Sequence, residues 1–287
     1  MDMRAIAMGL AFALMWSSAF TSARVIVEYA PPLSALALRF LISGLLGVII
    51  AFALGQSARL TRTQWLGVVI FGLCQNALYL GLNFVAMQTV PASLAAIIAS
   101  TMPLLVAIAG WLVFGTKVRP LGIAGLIAGV IGVTLIMGAR FQGGADLYGI
   151  ILCVIGVVSL TVATLAVLGA SSGGNVLMIV GLQMLVGSAI LWVPALTLET
   201  LDVTLNWQLV VAFVYTTLVP GLAATWVWFV LVGRIGAVKA STFHFLNPFL
   251  GVAIAAAFLG EAIGLLDIVG VAIITGGILA VQLSKQA

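Results

Sequence analysis

The sequence predicts an all-α polytopic membrane protein, with ten transmembrane helices as two inverted five-helix repeats and both termini cytoplasmic. Three observations carry this. First, 64% of the 287 residues are hydrophobic and 6% are charged, against about 25% charged in soluble domains. Seven acidic and eleven basic residues cannot cover a soluble surface of this length, and the mean hydropathy of +1.33 agrees. Second, the charges fall at the ends of apolar runs long enough to cross a bilayer core of about 30 Å, which needs roughly 20 residues. Third, the chain matches itself at a shift of 145 residues.

The runs read in order as follows. The opening MDMR and the apolar stretch after it have the look of a signal peptide. The uncharged run Ala5–Ala23 is nevertheless long enough to span, and the spacing predicts a retained first helix between Arg4 and Arg24. A second span, Leu33–Leu54, follows the Pro31-Pro32 turn and contains Arg39. The uncharged run Thr63–Thr116 holds two spans split near Gln88–Pro91. A fifth runs over Leu121–Gly138, and Leu147–Leu198 holds two more, split at Gly169–Asn175. The last three are Trp207–Val232, Lys239–Leu259 and Ile263–Leu283.

Orientation follows from the basic residues of the short loops. With the N-terminus inside, Arg4, Arg59, Arg62, Lys117, Arg119, Arg234, Lys239 and Lys285 are cytoplasmic, and only Arg24 and Arg140 are outside. Glu28, Asp146, Glu199, Asp202, Glu261 and Asp267 fall at the outer face. Termini on one side require an even number of spans, which ten satisfies.

At the 145-residue shift, Phe84 meets Phe229, Ala92 meets Ala237 and Pro103 meets Pro248. Gly115 meets Gly260, Gly125 meets Gly270 and Gly132 meets Gly277. Matched proline and glycines weigh more than matched leucines, because they set backbone geometry. The expected units are residues 1–140 and 146–287. Five helices is an odd number, so the second copy enters the membrane from the opposite side. Inverted repeats characterise secondary transporters, with the substrate site near the midplane between them.

The polar residues inside the spans are few. Ser241–Phe249, STFHFLNPF, carries the only histidine. Pro248 lacks an N–H and frees the carbonyl of His244, and its mate Pro103 does the same to Ala99. In lipid such defects persist only where protein or a water-filled cavity faces them. Helical spacing puts Ser241, His244, Pro248, Gly251 and Ala255 on one face, matched by Ala96, Ala99, Pro103, Val106 and Gly110. These small-residue faces can line a cavity or let helices approach closely. A histidine on an apolar face is often a satisfied core residue, but inside a span a polar group tends to face a cavity.

The third helix contributes Gln75, Asn76, Tyr79 and Asn83; the eighth contributes Tyr215 and Thr217 and is broken at Pro220-Gly221; the first contributes Trp16 and Ser17. The expected substrate-binding set is Trp16, Ser17, Gln75, Tyr79, Asn83, Ser100, Thr217, His244 and Asn247, with Pro103, Pro220, Pro248 and Arg39 as hinge or structural residues. Uncharged hydrogen-bonding groups and aromatic rings suit a neutral or zwitterionic, partly apolar solute. Trp65, Trp207 and Trp228 can instead be interface anchors. For Arg39 the favoured role is a structural ion pair, Glu28 being one partner in reach, over binding a substrate carboxylate.

Several classes find no support. There is no P-loop, no paired carboxylates, no nucleophile motif and no metal-ligand cluster, so neither an enzyme nor a metal or other cofactor is expected. No basic run suggests nucleic acid. Cys74 and Cys153 lie in apolar runs and read as inert thiols. GxxxG at Gly125–Gly129 can pack helices within a monomer or between two chains.

The chain resembles the drug/metabolite transporter superfamily in its ten-helix EamA branch. The carriers are WSSAF (Trp16–Phe20), Arg39-Phe40, proline plus a later glycine in the fourth and ninth helices, and Gly260-Glu261. The first repeat departs from the last of these with Gly115-Thr116. More narrowly, it is similar to the YddG-type bacterial amino-acid exporters. The resemblance implies export of neutral, especially aromatic, amino acids and related metabolites across the inner membrane. The alternatives are export of another small metabolite or drug, an intramembrane enzyme on a lipid precursor, or a channel.

Overall fold

The computed structural model describes residues 3–115, 119–142, 146–167, 174–235, 240 and 242–286. Thr116, Lys117, Lys239, Ser241 and residues 169–173 lie outside them, as do the side chains of Arg140 and Lys285.

The described residues form helices and turns, with no strand among them. Helix α1 (Met3–Tyr29) leads to α2 (Pro32–Ala53). The third run is α3 (Arg62–Phe71), a π-helical segment π1 (Gly72–Leu80) and α4 (Gly81–Ala86). The fourth is α5 (Ala92–Ala99) and α6 (Met102–Phe114). Then come α7 (Pro120–Gln142), α8 (Leu147–Val167) and α9 (Val176–Leu198). The run from Trp207 is α10 (Trp207–Thr216), a second π segment π2 (Thr217–Ala223) and α11 (Ala224–Ile235). A 3-10 turn, Thr242–Leu246, enters α12 (Asn247–Leu259), and α13 (Leu265–Gln286) is last. Seven of these helical runs are long and apolar enough to cross a membrane, by length and composition. Three shorter apolar helical stretches are Pro120–Ile136, Phe243–Leu259 and Leu265–Val281.

The first helix outruns its expected end at Ala23, and the reason is electrostatic. The Arg24 guanidinium donates to the Met87 carbonyl and lies 3.9 Å from Glu28 one turn on. A charge so partnered does not stop a helix.

Proline sets the internal breaks. α5 ends at Ala99, and α6 restarts at Met102 with Pro103 in its first turn. α12 starts at Asn247 with Pro248 in the same place. A first-turn proline loses nothing, since that N–H has no helical partner anyway. α6 and α12 both close on a left-handed glycine, Gly115 at φ 62° and Gly260 at φ 67°.

Two helix pairs pack almost backbone to backbone. A β-carbon on Gly277 of α13 would lie 2.6 Å from the Gly125 carbonyl oxygen of α7, and one on Gly125 would lie 2.6 Å from that of Gly277. Gly132 and Gly270 repeat the arrangement, so the Gly125–Gly129 GxxxG is used within the chain. α2 and α9 approach in the same manner at Gly44 and Gly181. Side-chain amides and hydroxyls tie the helices further: Ser188 Oγ donates to the Ala37 carbonyl at 2.8 Å, Asn76 Nδ2 to Gln183 at 2.9 Å and Ser159 Oγ to Cys74 at 2.9 Å. Large apolar side chains such as Ile49, Leu112, Val211 and Phe258 are turned outward, while Ser17, Asn76, Asn83, Gln183 and Asn247 are buried. This is the polarity that a hydrocarbon solvent demands.

Helix ends are capped by side chains from distant helices. Glu199, after α9, accepts from the N–H groups of Leu33 and Ser34 at the start of α2, at 2.7 and 2.8 Å. Gln56, after α2, accepts from Met178 N–H at the start of α9 at 3.0 Å. Glu261, after α12, accepts from Ala92 and Ser93 N–H at the start of α5, at 2.7 and 3.0 Å. A carboxylate there satisfies orphan donors and meets the positive end of the helix dipole. Glu261→Ala should therefore lower unfolding stability by about 0.5–2 kcal/mol. Thermal denaturation of the purified protein in detergent checks this, and a melting point equal to that of the parent would remove the cap from the account. In the loop before α8, Asp146 accepts from the Thr89 hydroxyl and from the N–H groups of Gly149 and Tyr148. The Thr89 bond first, then the backbone bonds, hold its carboxyl below the usual range.

Candidate functional site

The site assembles where the ninth apolar run loses its α-helical register. Pro248 cannot donate to the His244 carbonyl, and the chain there winds as a 3-10 turn. Three residues per turn place side chains i and i+3 one above the other. His244 and Asn247 stand in that relation, with Asn247 Nδ2 2.9 Å from His244 Nδ1. The amide can only donate, so Nδ1 accepts and the ring hydrogen sits on Nε2. Asn247 Oδ1 in turn faces Ser17 Oγ of α1 at 3.4 Å. The chain of contacts Ser17–Asn247–His244 fixes the imidazole and leaves Nε2–H without a protein partner among the described residues.

Aromatic rings surround that imidazole. Phe12 lies 5.2 Å away and edge-on at 80°, Trp228 lies 5.0 Å away at 67° and Trp16 lies 6.5 Å away at 86°. Phe12 also packs on Trp228 and Trp16, at 4.8 and 5.7 Å. Edge-to-face packing is the favoured geometry for such rings. Beside the box, Tyr215 of α10 meets Ser18 Oγ at 2.7 Å. The Ser18 hydroxyl donates to the Met15 carbonyl, so the phenol is the donor in that pair. α1, α11 and the start of α12 thus bring together a partly buried cluster of aromatic rings around the imidazole, with a small number of neutral donors and acceptors.

Of the expected site residues, Trp16, Ser17, His244 and Asn247 come together here. The third-helix residues take other positions. Tyr79 is 1% exposed and packs toward α8, where a β-carbon on Gly156 would meet its ring at 3.5 Å. Asn83 gives its amide hydrogen to the Tyr79 carbonyl, and its buried Oδ1 has no hydrogen-bond partner among the described residues. Regular α-helical spacing would put Asn76 and Asn83 on one face, but π1 inserts a wider turn between them. Gln75 is half-buried within π1. The hydroxyls of Ser100 and Thr217 bond back to the Ala96 and Phe213 carbonyls of their own helices. Pro103, Pro220 and Pro248 are wholly or partly buried. The small-residue faces of the fourth and ninth runs meet directly at one level, where a β-carbon on Gly251 would lie 2.5 Å from that of Ala96.

Arg39 departs from expectation. Glu28 lies against Arg24 instead, and Arg39 is 4% exposed with no ion pair among the described residues. Its guanidinium stacks 4.9 Å from the Phe40 ring centroid. Phe12, Ser18 and Tyr215 belong to the site and lie outside the expected set. Phe12 stands one helical turn before Trp16, which is the signal the sequence offers for it. Trp228 packs on the His244 ring in place of an interface, whereas the exposed Trp65 and Trp207 fit the role of anchors.

A chain of this kind, apolar outside with its polar groups turned inward around broken helices, has the build of an integral membrane protein. Similarity places it further. The family model described as the EamA-like transporter family matches residues 3–138 and again 147–283, and the chain belongs to that family. It is 29% identical to the uncharacterized transporter YvbV of Bacillus subtilis over 96% of this chain and 90% of that protein. It is 27% identical to the uncharacterized inner membrane transporter YedA of Escherichia coli K12, over 96% of this chain and 90% of that protein. The aromatic amino acid exporter YddG of Ancylobacter novellus matches at 29% identity, over 47% of this chain and 46% of its own length. A protein of known crystal structure superposes with a TM-score of 0.73 at 22% identity, over 100% of this chain and 99% of that one, which speaks for the fold alone. The chain is therefore a multi-pass inner-membrane transporter, not an enzyme, with a small-molecule substrate and a lipid surround.

Proposed function

We propose that the protein is a secondary transporter that exports neutral, especially aromatic, amino acids and related metabolites by alternating access. The carrying observation is the cluster in which Phe12, Trp16 and Trp228 pack around an imidazole oriented by Asn247. Ring-stacking walls with neutral donors fit a flat apolar side chain, and the partial match to an aromatic amino acid exporter supports the same class. The three shorter apolar stretches support a count of ten spans, and the distribution of basic residues supports termini in the cytoplasm. Two matches of one family model support the reading as two five-helix repeats, residues 1–140 and 146–287. So does the recurrence of the π segments, the proline breaks and the left-handed glycines at a shift of 145 residues. The odd number of helices in each repeat inverts the second.

The test is flux of labelled phenylalanine in proteoliposomes containing only this protein, with and without a pH gradient. Saturable flux competed by tryptophan and tyrosine supports the reading, and gradient-insensitive flux makes the carrier facilitative. Absence of flux for every neutral amino acid would move the substrate to another metabolite class.

A further inference from the structure

Arg39 is a buried cation without a counter-charge among the described residues. The carboxylates placed above sit at helix ends: Glu28 beside Arg24, Glu199 on α2, Glu261 on α5 and Asp146 on α8. An uncompensated charge inside a membrane protein is costly and by default marks a substrate or ion pathway. The orientation of the guanidinium is specific. Its Nε is buried without a hydrogen-bond partner among the described residues. Its Nη2 and Nε are the side-chain atoms nearest to where a Gly221 β-carbon would stand, at 3.5 and 3.8 Å. That edge, Nε–H beside Nη2–H, is the two-pronged fork that matches a carboxylate. A glycine, with no side chain of its own, faces it in this conformation. Gly221 lies in π2 directly after Pro220, where the wide-turn winding and the missing N–H make the helix locally deformable.

We infer that Arg39 is the anchor for the carboxylate of a zwitterionic or anionic substrate, bound through Nε and Nη2 when movement of π2 uncovers that edge. This deepens the proposed amino-acid transport and rests on it for the substrate class: Arg39 selects the acid. Lysine would keep the charge and lose the fork; glutamine would lose both.

The test is competition of labelled phenylalanine flux by 3-phenylpropionate, which lacks the amine, and by phenethylamine, which lacks the carboxylate. In the parent protein 3-phenylpropionate should compete about tenfold or more better than phenethylamine. Arg39→Gln should erase that difference by weakening the acid alone, and Arg39→Lys should recover part of it. Equal loss for both competitors, or none, in a variant that still purifies as a folded protein would overturn the anchor. Thermal unfolding in detergent with each compound is read without transport. Stabilisation by 3-phenylpropionate that vanishes in Arg39→Gln upholds the anchor even if phenylalanine flux is absent and the amino-acid reading falls. No stabilisation in the parent together with no flux overturns the anchor as well.

Discussion

Gly277→Leu is expected to remove the folded protein from the membrane. A β-carbon at this position already lies 2.6 Å from the Gly125 carbonyl oxygen and 2.9 Å from the Gly129 nitrogen, both backbone atoms of the facing helix. Backbone cannot step aside as a side chain does, so α7 and α13 must separate. They lose the contact along which Gly132 and Gly270 also meet. Overpacking typically costs about 1–3 kcal/mol, and separating a whole helix pair costs more, against a total of about 5–15 kcal/mol. The control is its neighbour: Gly276 is exposed, and a β-carbon there would meet nothing within 4 Å. Size-exclusion profiles after detergent extraction should show a monodisperse peak for Gly276→Leu and aggregate for Gly277→Leu. Equal profiles would mean that the close approach of α7 and α13 does not hold in the membrane.

The second large effect is on transport. His244→Ala removes the Nε2 donor and the ring on which Phe12 and Trp228 pack, while the buried shell around it remains. Leaving polar partners unsatisfied costs about 1–3 kcal/mol, so phenylalanine flux should fall by about tenfold or more. Asn247→Leu should do nearly the same, because the amide holds the imidazole tautomer. The double variant should be little worse than either single one, the mark of residues acting as a unit. Proteoliposome flux at matched protein content checks this. Full additivity, or unchanged flux in both single variants, would take His244 and Asn247 out of the site.

Much of this is legible in the sequence because membrane solvation writes itself into composition. Apolar runs and their charged borders locate most of the helices to within a few residues, and proline locates the breaks at Ser100–Thr101 and before Asn247. The end of α1 escapes, because a charge tolerated by a carbonyl partner looks the same in sequence as one that stops a helix. Side-chain direction is harder. Regular α-helical spacing pairs Asn76 with Asn83, and the π winding of Gly72–Leu80 undoes that pairing. Nothing in GLCQNALYL marks it, although Pro220 does mark its counterpart at Thr217–Ala223. The His244–Asn247 pair is visible as residues, but its geometry depends on a 3-10 turn that follows only once Pro248 releases the carbonyl. Arg39 is the reverse case: its presence is plain in the sequence, and only the packing reveals that Glu28 does not reach it.

The long-distance helix caps have a consequence for biosynthesis. Glu199 lies 166 residues after the Leu33 amide that it caps, and Glu261 lies 169 residues after that of Ala92. When the ribosome has delivered α2 and α5 to the membrane, neither carboxylate exists yet. The amino ends of the two helices must be held by water or lipid headgroups until α9 and α12, respectively, have been made. An early-truncated chain would present those bare amide groups to the quality-control machinery, a signal that the finished protein hides.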